Sequence, residues 1–361
     1  MIAIFVIIRW WDATGGKGKM KLLKNLIVLT LIALLVVGCS SDKPTEGSNK
    51  IDDLKVVFVP SRDAKDIKEQ TEPLKQLLID ELKKEGYEVA KVSIDTLTNY
   101  EAAGEALVSG SAHVGLIPGG TYAAYSEKGV KVILASTRNG LKYDSEKPMD
   151  WNTGEANENN TDIVTYYRGI IIAGPSEKGQ ALANKVKNNQ ELTWEDVSTA
   201  VWCLASLTSG SGYQYPAVWL KDRFDKTFAD MPETSRVESG GYPGAANKMA
   251  LGQCDVAPGY NDFRMDNAEN WVKEWGKQNI WTETAVIGVT DKIQNDTVSV
   301  SAKIVDDKLA GAIANAFINL AKTEAGATAI KIYNHNGYSK VTDADYEGAK
   351  KVNKLVQEAN K

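Results

Sequence analysis

Cysteine and histidine are scarce. Among 361 residues there are three cysteines, at positions 39, 203 and 254, and two histidines, His113 and His335. No CxxC occurs and no histidine pair has ligand spacing, so neither a zinc centre nor any other bound cofactor is expected. A Cys–His nucleophile is equally unsupported, and both histidines read as structural or surface residues. Positive charge is also short. The net charge is -5, and the first 38 residues hold five basic groups against one acidic one, so removing them would take it to -9. Such an acidic body has no electrostatic footprint for nucleic acid. An anion bound here must be held by local geometry, not by a general field. What is present is ordinary: 43% apolar and 25% charged residues, in a chain long enough for two domains.

Long apolar runs are missing except near the N-terminus. Lys21 and Lys24 precede the run Leu26 to Val37, and Val36-Val37-Gly38-Cys39 resembles a bacterial lipobox. The run is short for a membrane span. Residues 1–39 are therefore expected to be a lipoprotein signal segment with Cys39 as the lipidation site. Gly15-Gly16-Lys17-Gly18-Lys19 has the look of a translated ribosome-binding site, which makes Met20 the expected start. Residues 40–51 are polar with Pro and Gly, and read as a flexible tether. Cys203 and Cys254 remain in the body, either paired outside the cytoplasm or packed as small apolar residues.

Strand-like and helix-like runs alternate through the body. Leu54 to Pro60, Val114 to Pro118, Val132 to Thr137 and Ala200 to Leu204 read as strands. Leu74 to Leu82, Tyr100 to Ser109 and Tyr213 to Phe224 read as helices. The expected class is α/β with mainly parallel strands. Arg138 to Asp162 is polar and reads as a loop or insertion. Ile280 to Val289 reads as extended, and Leu309 to Lys322, Ala325 to Tyr333 and Asp343 to Glu358 as helices. The tryptophans between 194 and 281 read as packing residues, not as a stacking site.

Between the strand at 200–204 and the helix from 213 lies SLTSGSGYQYP. A strand followed by SGSG and a helix presents backbone N–H groups at a helix N-terminus, where the helix dipole favours an anion. Gly210 and Gly212 would let a ligand approach the backbone, and Ser209 and Ser211 add hydroxyl donors. The alternative is a serine cap and a turn. The run is not GxSxG, GxxxxGK[ST] or GxGxxG, so a nucleophile elbow, a P-loop and a dinucleotide fingerprint are set aside.

SGSGYQYP, Ser209 to Pro216, resembles the STSGY-P motif of the phosphonate, phosphite and phosphate solute-binding proteins of ABC transporters. The segments NYEAAGEALVSG, LIPGGTYAAY, YYRGIII, TDKIQNDTVSV and YNHNGYSKVTDADY resemble further parts of that family, in order, from about Leu54 to Tyr346. The resemblance implies a two-lobed type II periplasmic-binding-protein fold with the ligand cleft between the lobes. It places lobe 1 at 52–164 plus 291–361 and lobe 2 at 165–290. It implies a ligand site made by Tyr100, Tyr122, Tyr166, Thr208, Ser209, Gly210, Ser211, Tyr242, Asp262 and Asp296. Gly210 stands where the family has Thr, and Tyr242 near the place of a His. The two aspartates would suit a ligand carrying a proton or an ammonium group.

The function implied is that of a monomeric lipid-anchored receptor on the extracytoplasmic face of a bacterial, Gram-positive membrane. It would bind a phosphorus oxyanion and deliver it to permease subunits served by a cytoplasmic ATPase. An extracytoplasmic sensor presenting ligand to a signalling receptor is the alternative. No nucleophile or triad points to an enzyme.

Overall fold

The computed structural model describes residues 49–361. Cys39, the apolar run before it, Met20 and most of the tether lie outside the described residues.

Two sheets organise the body. In the first, Leu54–Phe58 pairs in parallel with Val92–Thr96 on one side and Val114–Ile117 on the other. Val56 and Phe58 are buried beneath helices on the sheet faces, as parallel strands require. Thr297–Ser301 then runs antiparallel between Val114–Ile117 and Val130–Leu141. Gly337–Lys340 pairs outside Val130–Leu141, and Asn159–Val164 pairs with the far end of that same long strand. The second sheet runs in the order Arg236–Glu238, Trp202–Leu204, Val256–Tyr260, Tyr166–Ala173, Ala285–Gln294. The chain therefore passes from one sheet to the other near Val164–Tyr166 and returns near Gln294–Thr297, which places residues 165 and 295–296 at the junction.

Local sequence explains the elements that matter for the site. Asn99 caps the helix Tyr100–Ser109 by accepting from the Ala102 N–H at 2.7 Å, and Gly110 ends it with a φ of 77°. Helix Glu347–Ala359 carries Ala349, Val352 and Val356 at helical spacing. Ala349 packs into a core of the first lobe, and Val352 and Val356 into cores of the second. One helix thus straddles both lobes. Trp202 and Trp271 are fully buried in the second lobe, in keeping with the packing role read for the tryptophans.

The structure revises several sequence-based expectations. The strand from Val130 runs on to Leu141, and Asn159–Val164 returns against it, so the ends of the 138–162 stretch are strand and not loop. Asn159–Val164 is largely solvated, so it carries no apolar alternation to read. Ile280–Glu283 is a single helical turn, with the strand starting only at Ala285. Gly337–Lys340 is a short strand between the two C-terminal helical stretches. Cys203 and Cys254 form a disulfide with a Cα–Cα distance of 5.8 Å. Cys203 lies in the strand Trp202–Leu204 and Cys254 two residues before the neighbouring strand Val256–Tyr260, where the Asp255 N–H donates to the Val201 carbonyl at 2.7 Å.

Candidate functional site

Parallel strands present the chain's turns at their carboxyl ends, and both sheets do so toward one cavity. From the first sheet comes Arg62, four residues past the strand Leu54–Phe58. Its Nη1 donates to the Tyr260 hydroxyl at 2.6 Å, its Nε donates to the Ile332 carbonyl at 3.1 Å, and its guanidinium pairs with Asp266. Burial disfavours the charge, but the neighbouring Tyr260 and Asp266 more than offset this, and the Arg62 pKa is raised. Arg138 projects from Val130–Leu141. It is buried, lies 5.0 Å over the Tyr167 ring, and donates from Nη2 to the Tyr333 carbonyl at 3.3 Å. Its Nε has no hydrogen-bond partner among the described residues.

The second sheet contributes the glycine–serine stretch. After Trp202–Leu204 the chain makes a π-helical turn, Gly210–Gln214, that feeds the helix Tyr215–Phe224. The Gln214 N–H donates to the Ser209 carbonyl at 2.9 Å, closing the wide turn. Such turns are frequent at functional sites. Ser209 caps it, its Oγ accepting from the Gly212 N–H at 3.2 Å. The hydroxyls of Ser209 and Ser211 lie 3.0 and 2.8 Å from the Tyr242 hydroxyl. The cap therefore exists, and Gly210 and Ser211 nonetheless face the cavity. Their N–H groups sit at the start of the turn, where no intrahelical partner is available.

Asp296 lies at the return junction. Its Oδ2 meets His335 Nε2 at 3.2 Å, while the carboxylate lines the cavity. Burial pushes its pKa up, but the His335 hydrogen bond and the charges of Arg138 and Arg62 outweigh that and leave it below the ordinary value. Burial pushes His335 below its own ordinary value, so the imidazole is neutral and donates through Nε2. Asp296 is thus an ionised acceptor fixed from behind. Burial raises the pKa of each of the phenols Tyr100, Tyr167, Tyr242 and Tyr260, so these groups are neutral; Tyr260 gives its proton to Asp266, and Tyr100, Tyr167 and Tyr242 face the site as O–H groups.

These groups line a cavity of about 40 Å³, which Tyr333 and Asn334 complete. Among the described residues no cluster could hold a metal ion.

Of the residues expected at the site, Tyr100, Gly210, Ser211, Tyr242 and Asp296 line this cavity. Ser209 stands directly behind it. The other four are placed elsewhere. Tyr166 points to the opposite face of its strand, where its hydroxyl donates to Asp144 at 3.0 Å, and Tyr167 takes the inward position. The Tyr122 hydroxyl is engaged by Asp343, and its ring packs edge-on against Tyr346. Thr208 reaches across to the other lobe, donating to Glu101 from its N–H at 3.2 Å and from Oγ1 at 3.0 Å. Asp262 accepts from Asn261 at 2.7 Å and from Asn334 at 3.1 Å, one shell out from the cavity. Both cavity arginines were missed in the sequence, although each follows or ends a strand-like run and so carried a positional signal.

The sequence pattern of the family "ABC transporter, phosphonate, periplasmic substrate-binding protein" matches residues 56–346. No curated protein sequence matches the chain. Among solved structures, PhnD1 from Prochlorococcus marinus, in complex with methylphosphonate, superimposes with a TM-score of 0.60 at 13% identity, covering 85% of this chain and 99% of its own. A binding protein component of an ABC phosphonate transporter from Pseudomonas aeruginosa gives 0.59 at 11%, covering 86% and 88%. A Xanthomonas citri protein bound to ATP gives 0.59 at 12%, covering 86% and 98%. At these identities the likeness speaks to the fold, which is the two-lobed periplasmic-binding-protein fold. With the family pattern spanning most of its length, the chain belongs to the phosphonate ABC-transporter periplasmic substrate-binding proteins, a family of receptors and not of enzymes.

Proposed function

We propose that this protein is a monomeric, lipid-anchored receptor that captures a phosphorus oxyanion between its lobes and hands it to an ABC permease. The observation that carries the ligand class is the convergence of Arg62, Arg138 and the Gly210–Ser211 turn on one cavity between the lobes. Two guanidinium groups and a helix start suit a tetrahedral oxyanion, and the methylphosphonate in the Prochlorococcus relative is of this class. Hydrogen bonds to charged groups contribute about 1.5–3 kcal/mol each. Four or five of them suffice, after ordering costs, for the roughly -8 kcal/mol of a micromolar complex. The Val36-Val37-Gly38-Cys39 stretch supports an anchor at Cys39, with the body held at the outer face of a Gram-positive membrane. The disulfide fits an oxidising, extracytoplasmic setting.

The test is calorimetric titration of the body lacking residues 1–39 with phosphate, phosphite and methylphosphonate. At least one binds at micromolar or tighter affinity, and Ser209→Ala with Ser211→Ala abolishes it. Silence with all three, and with 2-aminoethylphosphonate and sulfate as well, would refute the anion-site reading. Mass spectrometry of the membrane-extracted protein tests the anchor: a diacylglyceryl adduct on Cys39 is expected, and an unmodified Cys39 would refute it.

A further inference from the structure

We propose that the cavity selects a tetrahedral phosphorus oxyanion that still carries one proton and bears no substituent larger than one heavy atom. This rests on the anion-site reading above and narrows it. Size comes first. The cavity volume is about 40 Å³. Treated as a sphere and widened by the roughly 1.4 Å radius of water, that space is about 7 Å across. A phosphate, a phosphite or a methylphosphonate fits. An aminoethyl arm adds two further bonds of about 1.5 Å each and a bulky ammonium end. Its end would lie outside this space, pressing on the tyrosine wall or leaving the donors for the cavity's open side.

The second restriction is chemical. A ligand ammonium needs an acceptor, and two of the three nearby carboxylates are already committed. Asp262 accepts from Asn261 and Asn334. Asp266 takes Arg62 and, at 2.7 Å, the Tyr260 hydroxyl. Asp296 alone keeps an oxygen for the cavity, because Oδ2 is turned to His335. One ionised acceptor facing an anion repels a bare oxygen and accepts from a P–OH. It therefore discriminates by the ligand's proton. Charge agrees. Asp266 and Asp296 offset Arg62 and Arg138 in net charge, so the wall favours a singly charged anion over a dianion while Arg138, the turn and the phenols remain its donors.

Calorimetric titration in mildly acidic buffer separates the possibilities, using phosphate, phosphite, methylphosphonate, 2-aminoethylphosphonate and sulfate. The first three carry a P–OH there and sulfate carries no proton. At least one of the three binds, with 2-aminoethylphosphonate and sulfate weaker by about 100-fold or more. In Asp296→Asn the gap to sulfate narrows by about tenfold or more, since an amide can donate to a bare oxygen. Tighter binding of 2-aminoethylphosphonate than of methylphosphonate overturns the size restriction. Sulfate within about tenfold of the best ligand, or an unchanged gap in Asp296→Asn, overturns the proton restriction. In each of these cases the anion site itself survives. Silence with all five removes the anion site and this inference together. Should Asp296→Asn fail to fold, the wild-type series alone still decides.

Discussion

At position 210 a side chain has little room. A Cβ placed there would lie 3.1 Å from Ile293 Cγ2 and 3.2 Å from the Tyr167 hydroxyl. The Tyr167 phenol thus crowds the space that a side chain at 210 would use, and brings a hydroxyl of its own to the same wall. Overpacking of this kind costs about 1–3 kcal/mol. Gly210→Thr is therefore expected to weaken ligand binding by roughly tenfold or more. Tyr167→Phe in that background should recover part of the loss, because removing one hydroxyl relieves the contact while the threonine supplies another. Calorimetry on the double-mutant cycle reads this coupling, and additive losses would show the two residues to be independent. The same wall shows what residue-by-residue reading can reach. Gly210, Ser211 and Asp296 sit in motif-like stretches and were legible. Tyr166 and Tyr167 are neighbours on a strand with side chains on opposite faces, and a resemblance alone does not fix which one turns inward. Arg62 and Arg138 belong to no motif; only their places near strand ends marked them.

Among the elements, the π-helical turn and the helix Tyr100–Ser109 bring their residues to the cavity from opposite lobes. Asn99 sets where that helix begins, and so where Tyr100 points. Asn99→Ala should cost about 1 kcal/mol of stability, measured by urea denaturation. The disulfide ties the strand that leads into the turn to the approach of its neighbour. Its cysteines are 51 residues apart in sequence. Cross-linking a loop of that size is worth about 4 kcal/mol in the chain-entropy model. Cys203→Ala with Cys254→Ala is expected to lower the melting temperature markedly, while an unchanged melting curve would show the bond to be energetically idle. Elements with a buried face were readable from apolar spacing, as with Leu54–Phe58 and Tyr100–Ser109. Asn159–Val164 lacks such a face, and Ile280–Glu283 is one turn long, so neither left a period to detect.

For the whole molecule, function depends on how the lobes meet. Thr208 of one lobe bonds Glu101 of the other, Arg62 pairs with Asp266, and Gln214 Nε2 donates at 3.0 Å to Asn353 on the straddling helix. Gly120 permits this approach: a Cβ there would fall 2.4 Å from Gln214 Oε1 and 2.7 Å from the Thr208 carbonyl. Gly120→Val should hold the lobes apart, leaving each lobe folded but raising the radius of gyration in X-ray scattering and weakening ligand binding. An unaltered scattering curve with unaltered affinity would contradict a tight closed state.

Arg138 comes from one lobe and Ser211 from the other, and the account requires a single anion to be gripped by both. Calorimetric titration of Arg138→Met, Ser211→Ala and the double variant with the best phosphorus ligand tests this most directly. Each single change is expected to weaken binding by roughly tenfold or more, and the pair to abolish it, with the fold retained. Wild-type affinity in either single variant would contradict the account.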